Sequence, residues 1–405
     1  MIILHTSDWH LNSTLGSRKR NGDLCRSLQQ IKNYVEQYHV DVMVISGDLF
    51  RERSRPEQIQ AGIEIIKTYF QPFLQRGGTM LAISGNHDSD ILFTTLRDAQ
   101  DLVAFGPQEQ EGIQTTGRFY FAPHPGKLRL RDGQGNVVQF VLMPYPTPRY
   151  LRGDKVFYRT LEERNIALKD AFETILRVQL NGLDPREPAV LVSHIAVRGS
   201  TSTSNYRLDD ANEIIVEQSA LPSSLTYIAL GHIHRPQEVL LGAAHMRYAG
   251  SIERMDYGER DDQKSVVLLE IQGRRLCGPP QLLPLRCTSF YEVEIIDPDT
   301  QLPLLAQKYP DAQEALVRYV LHWDSLTHQR DRLCQQIEAI FPRWYDRTLK
   351  DKQTGIITEA GLEVQLTHDV VGTTRHYLHS QLEQHPLRQD LFALVEQLFV
   401  EEEEA

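Results

Sequence analysis

Short apolar runs alternate with helical stripes along the first part of the chain. Ile2-Ile3-Leu4 predicts a buried strand. Leu24, Leu28, Ile31 and Val35 then follow helical spacing, with Asp23 as the candidate cap. Val40 to Ile45 is almost wholly apolar, as in a strand covered on both faces. Ser54-Arg55-Pro56-Glu57 has a capping-box pattern with proline in the first turn, and predicts a helix that stops at Gly77-Gly78. Thr79 to Ile83 is a third apolar strand, and a helix is predicted from Ser89. Strand and helix in alternation mean an α/β sheet, whose sites collect at the carboxyl ends of the strands.

Further on, the pattern predicts a hairpin at Asp132-Gly133-Gln134-Gly135 and a strand from Val137 to Met143. A helix over 157–181 follows, then strands at Ala189–Val192, Leu225–Leu230, Met246–Ser251 and Ser265–Ile271. The Gly and Pro cluster at 273–286 is the expected boundary of a first domain, 1–275. Residues 286–346 predict a small α+β domain, with strands at Tyr291–Ile295 and Val317–Trp323 and a helix over 326–341. Residues 347–370 are polar and predict a linker. The tail, 371–405, predicts two helices broken at His385-Pro386. In the second, Leu391, Leu394, Val395, Leu398 and Phe399 form an apolar stripe suited to a partner helix.

The polar residues that follow the strands change the picture. Asp8 and His10 follow the first, and Asp48 follows the second in Ser46-Gly47-Asp48. Asn86, His87 and Asp88 follow the third, on a turn where Gly85 allows close approach. His194 ends a later strand, and His232 and His234 end another. In extended chain, residues two apart point the same way, which would aim each of the pairs Asp8/His10 and His232/His234 at one ion. Mixed imidazole and carboxylate donors suit Mn²⁺, Fe²⁺ or Zn²⁺, and the set is large enough for two ions and a spare imidazole. Such a pair, bridged by a carboxylate, acidifies a water and neutralises phosphoryl oxygens, while the spare imidazole protonates the leaving alkoxide.

Composition adds bounds. The chain has 405 residues, 41% of them hydrophobic and 24% charged, as expected for a soluble globular protein of two or three domains. A net charge of −11 argues against a basic coat for nucleic acid but leaves room for a basic groove. Cys25, Cys277, Cys287 and Cys334 form no Cys-x-x-Cys pair, so neither a zinc ribbon nor a disulfide framework is indicated, and reduced thiols in a cytoplasmic chain are expected. The start of the chain has no signal-peptide pattern, and no apolar run is long enough for a membrane span.

Asp-x-His, Gly-Asp, Gly-Asn-His-Asp and Gly-His-x-His, in that order, make the chain resemble the calcineurin-like metallophosphoesterases and, more narrowly, the SbcD-like DNA repair nucleases. The matching stretches are His5 to Leu11, Ser46 to Phe50, Gly85 to Asp88, Ala229 to His234 and Tyr248 to Arg254. The resemblance implies a two-sheet αββα metallophosphoesterase sandwich, then a small α+β capping domain that binds DNA and a C-terminal helical tail. It implies two divalent ions, Mn²⁺ by preference. Asp8, His10 and His234 would hold one and Asn86, His194 and His232 the other, with Asp48 bridging. His87 would be the catalytic imidazole and Asp88 would orient it. It further implies 3′→5′ exonuclease activity on duplex DNA and endonuclease activity on single strands and hairpins. The enzyme would be a homodimer within a heterotetramer, with an SbcC-type ATPase gripping the tail, in the cytoplasm and at the nucleoid. There is no Gly-x-x-x-x-Gly-Lys-Ser/Thr loop, so ATP hydrolysis would be the partner's.

Arg51 and Ser193 depart from the family pattern. Arg18, Lys19 and Arg20, and Arg51, Arg53 and Arg55, follow the first two motifs and are candidates for contact with DNA phosphates. Two other functions fit the same motifs: a small-molecule or cyclic-nucleotide metallophosphatase, or a non-catalytic scaffold component. The extra domain and tail weigh against the first, and the complete ligand set against the second.

Overall fold

A computed structural model of the chain describes residues 1–103, 109–110, 112–114, 116–148, 158, 160–204, 213–239, 245–353 and 355–357. The chain divides into two compact units, one of 1–291, 306–317 and 338–345, the other of 292–305, 318–337 and 346 onward.

Two large sheets form the body of the first unit. One runs in the order Arg275–Leu276, Ser265–Gln272, Ile2–Thr6, Val42–Ile45, Thr79–Ile83, Phe119–Ala122, with Gln281–Pro284 also paired to Ser265–Gln272. The strands from Ile2–Thr6 to Phe119–Ala122 are mutually parallel, and Ser265–Gln272 is antiparallel to Ile2–Thr6. The other sheet has Met246–Tyr248, Tyr227–Gly231, Ala189–His194 and Val137–Met143 side by side and parallel, with Gly126–Arg131 antiparallel beyond them.

Side-chain alternation explains why these strands are apolar at every position. Ile3, Val44, Leu81 and Ile83 face the second sheet and meet Phe140, Leu142, Val190, Val192 and Ala229. Leu4, Met43, Ile45 and Met80 face the other way, onto Leu24, Leu28, Ile31 and Phe70 of the helices Asn21–Gln37 and Pro56–Gln75. On the far side, helix Leu161–Asn181 places Leu168, Phe172 and Leu176 against Val141, Leu191, Ile228 and Leu230. Each such fully buried Leu, Ile or Phe contributes about 1.5–3 kcal/mol. The result is the expected αββα sandwich, with the carboxyl ends of the central parallel strands of both sheets at the site.

Four local expectations are corrected. The first helix begins at Asn21, so Asp23 lies in its first turn. Its carboxylate is held by Arg20 Nε and Arg26 Nη2, each at 2.5 Å, and by Arg343 Nη2 at 2.6 Å. Ser54 does not cap the second helix: its hydroxyl donates to Arg51 O, and Gln58 Oε1 accepts from Arg55 N at 2.8 Å instead. The Gly/Pro cluster at 273–286 is no boundary, because Gln281–Pro284 pairs with Ser265–Leu268 inside the first sheet. Lastly, the polar stretch expected to be linker carries the hairpin Trp344–Asp351 and Gly355–Ile357. Leu349 and Asp351 are buried there, and the polar residues around them hid the strand.

A four-stranded sheet in the order Phe290–Ile295, Leu316–Trp323, Trp344–Asp351, Gly355–Ile357, with helices Pro298–Lys308 and Arg330–Ile340, contains the described residues of the second unit together with some assigned to the first. The Pro303-containing helix Pro298–Lys308 is missing from the sequence expectation, because an internal proline argues against one. The predicted tail helices at 371–405 lie outside the described residues. None of the described helices is long and apolar enough to cross a membrane.

Candidate metal centre

Five strand ends deliver the site, three from one sheet and two from the other. Asp8 and His10 follow Ile2–Thr6, Asp48 follows Val42–Ile45, and Asn86 and His87 follow Thr79–Ile83. His194 closes Ala189–His194, and His232 and His234 follow Tyr227–Gly231. The backbone turns sharply here. Asp8, His10, Asp48 and His232 have φ of 50°, 45°, 52° and 93°, a region that side chains other than glycine rarely enter. Such strain persists where packing over-determines it, commonly at functional sites.

These angles overturn the extended-chain argument. Asp8 and His10 converge through left-handed turns, and His232 and His234 diverge. His234 Nε2 lies 3.1 Å from His10 Nε2 and 4.0 Å from Asp8 Oδ1. His232 Nδ1 instead lies 3.1 Å from Asn86 Oδ1, which is also 2.9 Å from His194 Nε2. Asp48 Oδ2 sits between the two groups, 3.6 Å from His10 Nε2 and 3.5 Å from His194 Nε2. Ligand atoms of Asp8, His10 and His234 lie within 4.8 Å of one another, as do those of His10, Asp48 and His87 and those of Asp8, Asp48 and His194.

The donors are aimed by neighbours. His194 Nδ1 donates to Ser46 O at 2.7 Å, which leaves Nε2 as the ligating nitrogen. His234 Nδ1 is 2.7 Å from Glu259 Oε1, and His232 Nε2 is 3.3 Å from Glu213 Oε2. Ser7 Oγ donates to Asp8 Oδ2 at 2.5 Å. The close approach that Gly85 permits is that of Asp48: a Cβ on Gly85 would lie 2.0 Å from Asp48 Oδ1. Buried carboxylate and imidazole lone pairs converging in this way, with the outer nitrogens of His194 and His234 hydrogen-bonded, fit two divalent ions with N and O ligands. Asp8, His10, Asp48 and His234 would hold one, and Asp48, Asn86, His194 and His232 the other.

Electrostatics agree with that fit. Burial disfavours the Asp48 charge, but His194 and His87 outweigh it and hold the carboxyl well below its ordinary range. Burial lowers His10 far below its ordinary value. Burial also opposes charge on His194 and His234, yet Asp48 and Glu259 respectively win and raise both to about 9. Burial, then repulsion from Asp48, raises Asp88 to about 7.

Two assignments need correction. Asp88 does not contact His87. Its oxygens accept from Leu49 N (3.1 Å), Phe50 N (2.9 Å) and Gly85 N (3.0 Å), so it ties the Asp48 turn to the Asn86 turn. The carboxylate beside the outer nitrogen of His87 is Glu52, 3.8 Å from Nδ1. Arg20 is not available to a phosphate either: it is buried, and its Nε is bound to Asp23. Arg18 Nε donates to Trp344 O at 2.6 Å. Lys19, Arg51, Arg53 and Arg55 are exposed.

Glu213, Glu259 and Lys264 escape the sequence reading. Glu259 and Lys264 belong to the run Gly258 to Lys264, whose charge density is that of a solvated turn. In the structure both are fully buried.

The fold and the clustered Asp and His side chains are those of a metal-dependent phosphoester hydrolase. A family model of the calcineurin-like phosphoesterases matches residues 1–236, more than half of the chain, and the chain belongs to that family. It is similar to the D component of the SbcCD nuclease of Bacillus subtilis (strain 168), 27% identical over 277 residues that span 67% of this chain and 66% of that one. The corresponding SbcCD component of Escherichia coli (strain K12) is 27% identical over 285 residues, 68% of this chain and 66% of the relative. The match thus spans just under two thirds of the length of these relatives. Among solved structures, a dimetal phosphatase from Danio rerio covers 71% of this chain and 99% of its own at 12% identity and a TM-score of 0.40.

Proposed function

We propose that the chain is the nuclease component of an SbcCD-type complex: a two-metal, Mn²⁺-dependent phosphodiesterase that cuts DNA. It acts as a 3′→5′ exonuclease on duplex ends and as an endonuclease on single strands and hairpins. The observation that carries this reading is the place of Asp48, between two sets of donors and beneath a catalytic-type imidazole. The similarity to proteins called nucleases supports DNA as the substrate.

When bound, two divalent ions supply neutralisation of the phosphoryl oxygens and a water acidic enough to attack at neutral pH. The chain does the rest. Asp48, within 3.6 Å of both His10 Nε2 and His194 Nε2, would be the residue the two ions share. His87, with its side chain 37% exposed and Nε2 3.9 Å from Asp48 Oδ2, faces the substrate side and protonates the leaving alkoxide. Asp88 holds the Asp48 and Asn86 turns in register. The exposed Lys19, Arg51, Arg53 and Arg55 contact the DNA backbone. The α+β unit covers the DNA, and the 371–405 tail docks on an SbcC-type ATPase within a heterotetramer built on a homodimer. In the cell the enzyme works in the cytoplasm, at the nucleoid.

The test is a Mn²⁺ titration on labelled linear duplex and hairpin DNA, with and without an SbcC-type ATPase, comparing wild type with Asp48→Ala. Degradation that requires Mn²⁺ and vanishes with Asp48 is expected. Intact DNA under all conditions, with hydrolysis of a small phosphodiester, would overturn the DNA assignment and leave a small-molecule phosphodiesterase.

A further inference from the structure

Lys264 is a fully buried lysine, and it is built into one half of the site. Its Nζ lies 2.7 Å from Glu259 Oε2 and 3.4 Å from Asp262 Oδ2, and donates to His234 O at 2.8 Å. Glu259 is also fully buried, and its other oxygen is 2.7 Å from His234 Nδ1. A closed ring results, from the His234 imidazole through Glu259 and Lys264 back to the His234 carbonyl. Ser251 Oγ and Met255 N also donate to Glu259 Oε2, at 3.3 and 3.1 Å.

Burying a lysine is costly, and replacing a buried ion pair by apolar groups is often neutral or favourable. Stability is therefore a weak reason for this pair. What the ring does is fix the tilt and tautomer of one metal-facing imidazole and set its donor strength. The other position is supported differently: His194 leans on a neutral backbone carbonyl, and His232 Nε2 lies at the longer 3.3 Å from Glu213.

We propose that Glu259 and Lys264 are positioning residues for His234, and that they make the two metal positions chemically unequal, with the Asp8–His10–His234 position depending on the pair. The proposal rests on the two-metal reading. Glu259 fixes the orientation of the His234 ring through Nδ1, and Lys264 holds Glu259 in place by bonding both to it and to the His234 carbonyl.

The experiment is a Mn²⁺ titration of the metal-stripped full chain, followed by electron paramagnetic resonance of free Mn²⁺ and by the absorption spectrum of the Co²⁺-loaded protein. Wild type is compared with Glu259→Gln, Lys264→Met, Lys264→Arg and the double variant Glu259→Gln/Lys264→Met, which removes both buried charges and guards against a variant that fails to fold. Two Mn²⁺ are expected for wild type. One of them should weaken by about 10–100-fold in the Glu259→Gln and double variants. The other should be unchanged, the Co²⁺ bands should shift, and Lys264→Arg should recover part of the loss. If wild type binds two Mn²⁺ and the folded variants match it, or lose both ions equally, the pair is merely structural and the inference falls. If wild type binds fewer than two, the two-metal reading itself falls.

Discussion

Gly231 tests the geometry most directly. It ends the strand Tyr227–Gly231, and no positive φ demands a glycine there, so the constraint is space. A Cβ built on it would lie 1.9 Å from Ser46 O, 2.2 Å from Ser7 Oγ and 2.9 Å from His194 Nδ1. Real Cβ contacts essentially never fall below 3.0 Å, so the Ser46 backbone, in the other sheet, must retreat by more than 1 Å. Ser46 O is also the acceptor that aims His194. Gly231→Ala should therefore wedge the sheets apart at the site. Overpacking of this kind costs about 1–3 kcal/mol. A displacement of about 1 Å among catalytic groups costs on the order of 100-fold in rate. The assays are a thermal melt and Mn²⁺-dependent hydrolysis of bis-p-nitrophenyl phosphate. Gly278→Ala is the control, since nothing lies within 4 Å of its Cβ. A Gly231→Ala protein that melts and turns over like wild type would refute the close approach of the two sheets and the ligand geometry built on it.

Three other outcomes are expected. His87→Ala should cut DNA hydrolysis by about 10²–10⁴-fold while binding of two Mn²⁺ persists. Turnover of bis-p-nitrophenyl phosphate, whose leaving group needs no proton, should suffer far less, and equal losses on both substrates would exclude a general acid. His194 and His234, raised to about 9 against an ordinary 6.5, hold protons in the metal-free site. Mn²⁺ must expel them, so its affinity should climb with pH up to about 9. Titration heats that do not vary with buffer ionisation enthalpy would contradict this. In metal-free protein the same protons stabilise the fold fully below pH 6.5, and the contribution is lost as pH rises through about 9. Finally, Arg51→Ala and Arg53→Ala should each lower the salt slope of duplex binding by about 1. Arg20→Ala, which removes a buried partner of Asp23, should lower the melting temperature and leave that slope alone. A fluorescence-anisotropy salt series separates the two classes.

The candidate ligands were legible as a cluster because each lies at or just past the end of an apolar strand, where a parallel sheet gathers chemistry. What stayed hidden has physical causes. Residue spacing cannot show that Asp8 and His10 meet through left-handed backbone, or that His232 and His234 part company at φ 93°. Asp88, beside His87 in the chain, accepts from the amides of Leu49 and Phe50, 39 and 38 residues away, as well as from nearby Gly85. Arg20 sits in a basic run that looks solvated, yet the fold closes over it. Glu259 and Lys264 look like surface for the same reason. The hairpin at Trp344–Asp351 alternates inward Leu349 and Asp351 with polar neighbours, and one inward acid is enough to blur the period.

The order of strands also has a consequence for synthesis. Ile2–Thr6 pairs on one edge with Val42–Ile45, but on the other with Ser265–Gln272. A chain emerging from the ribosome can complete one edge of that strand early, whereas the other stays open until more than 260 further residues have been added. Asp8 and His10 likewise wait for His234, more than 220 residues further along the chain. A chain that stops short of His234 therefore holds Asp8, His10, Asp48 and Asn86 without the full set of candidate ligands around them.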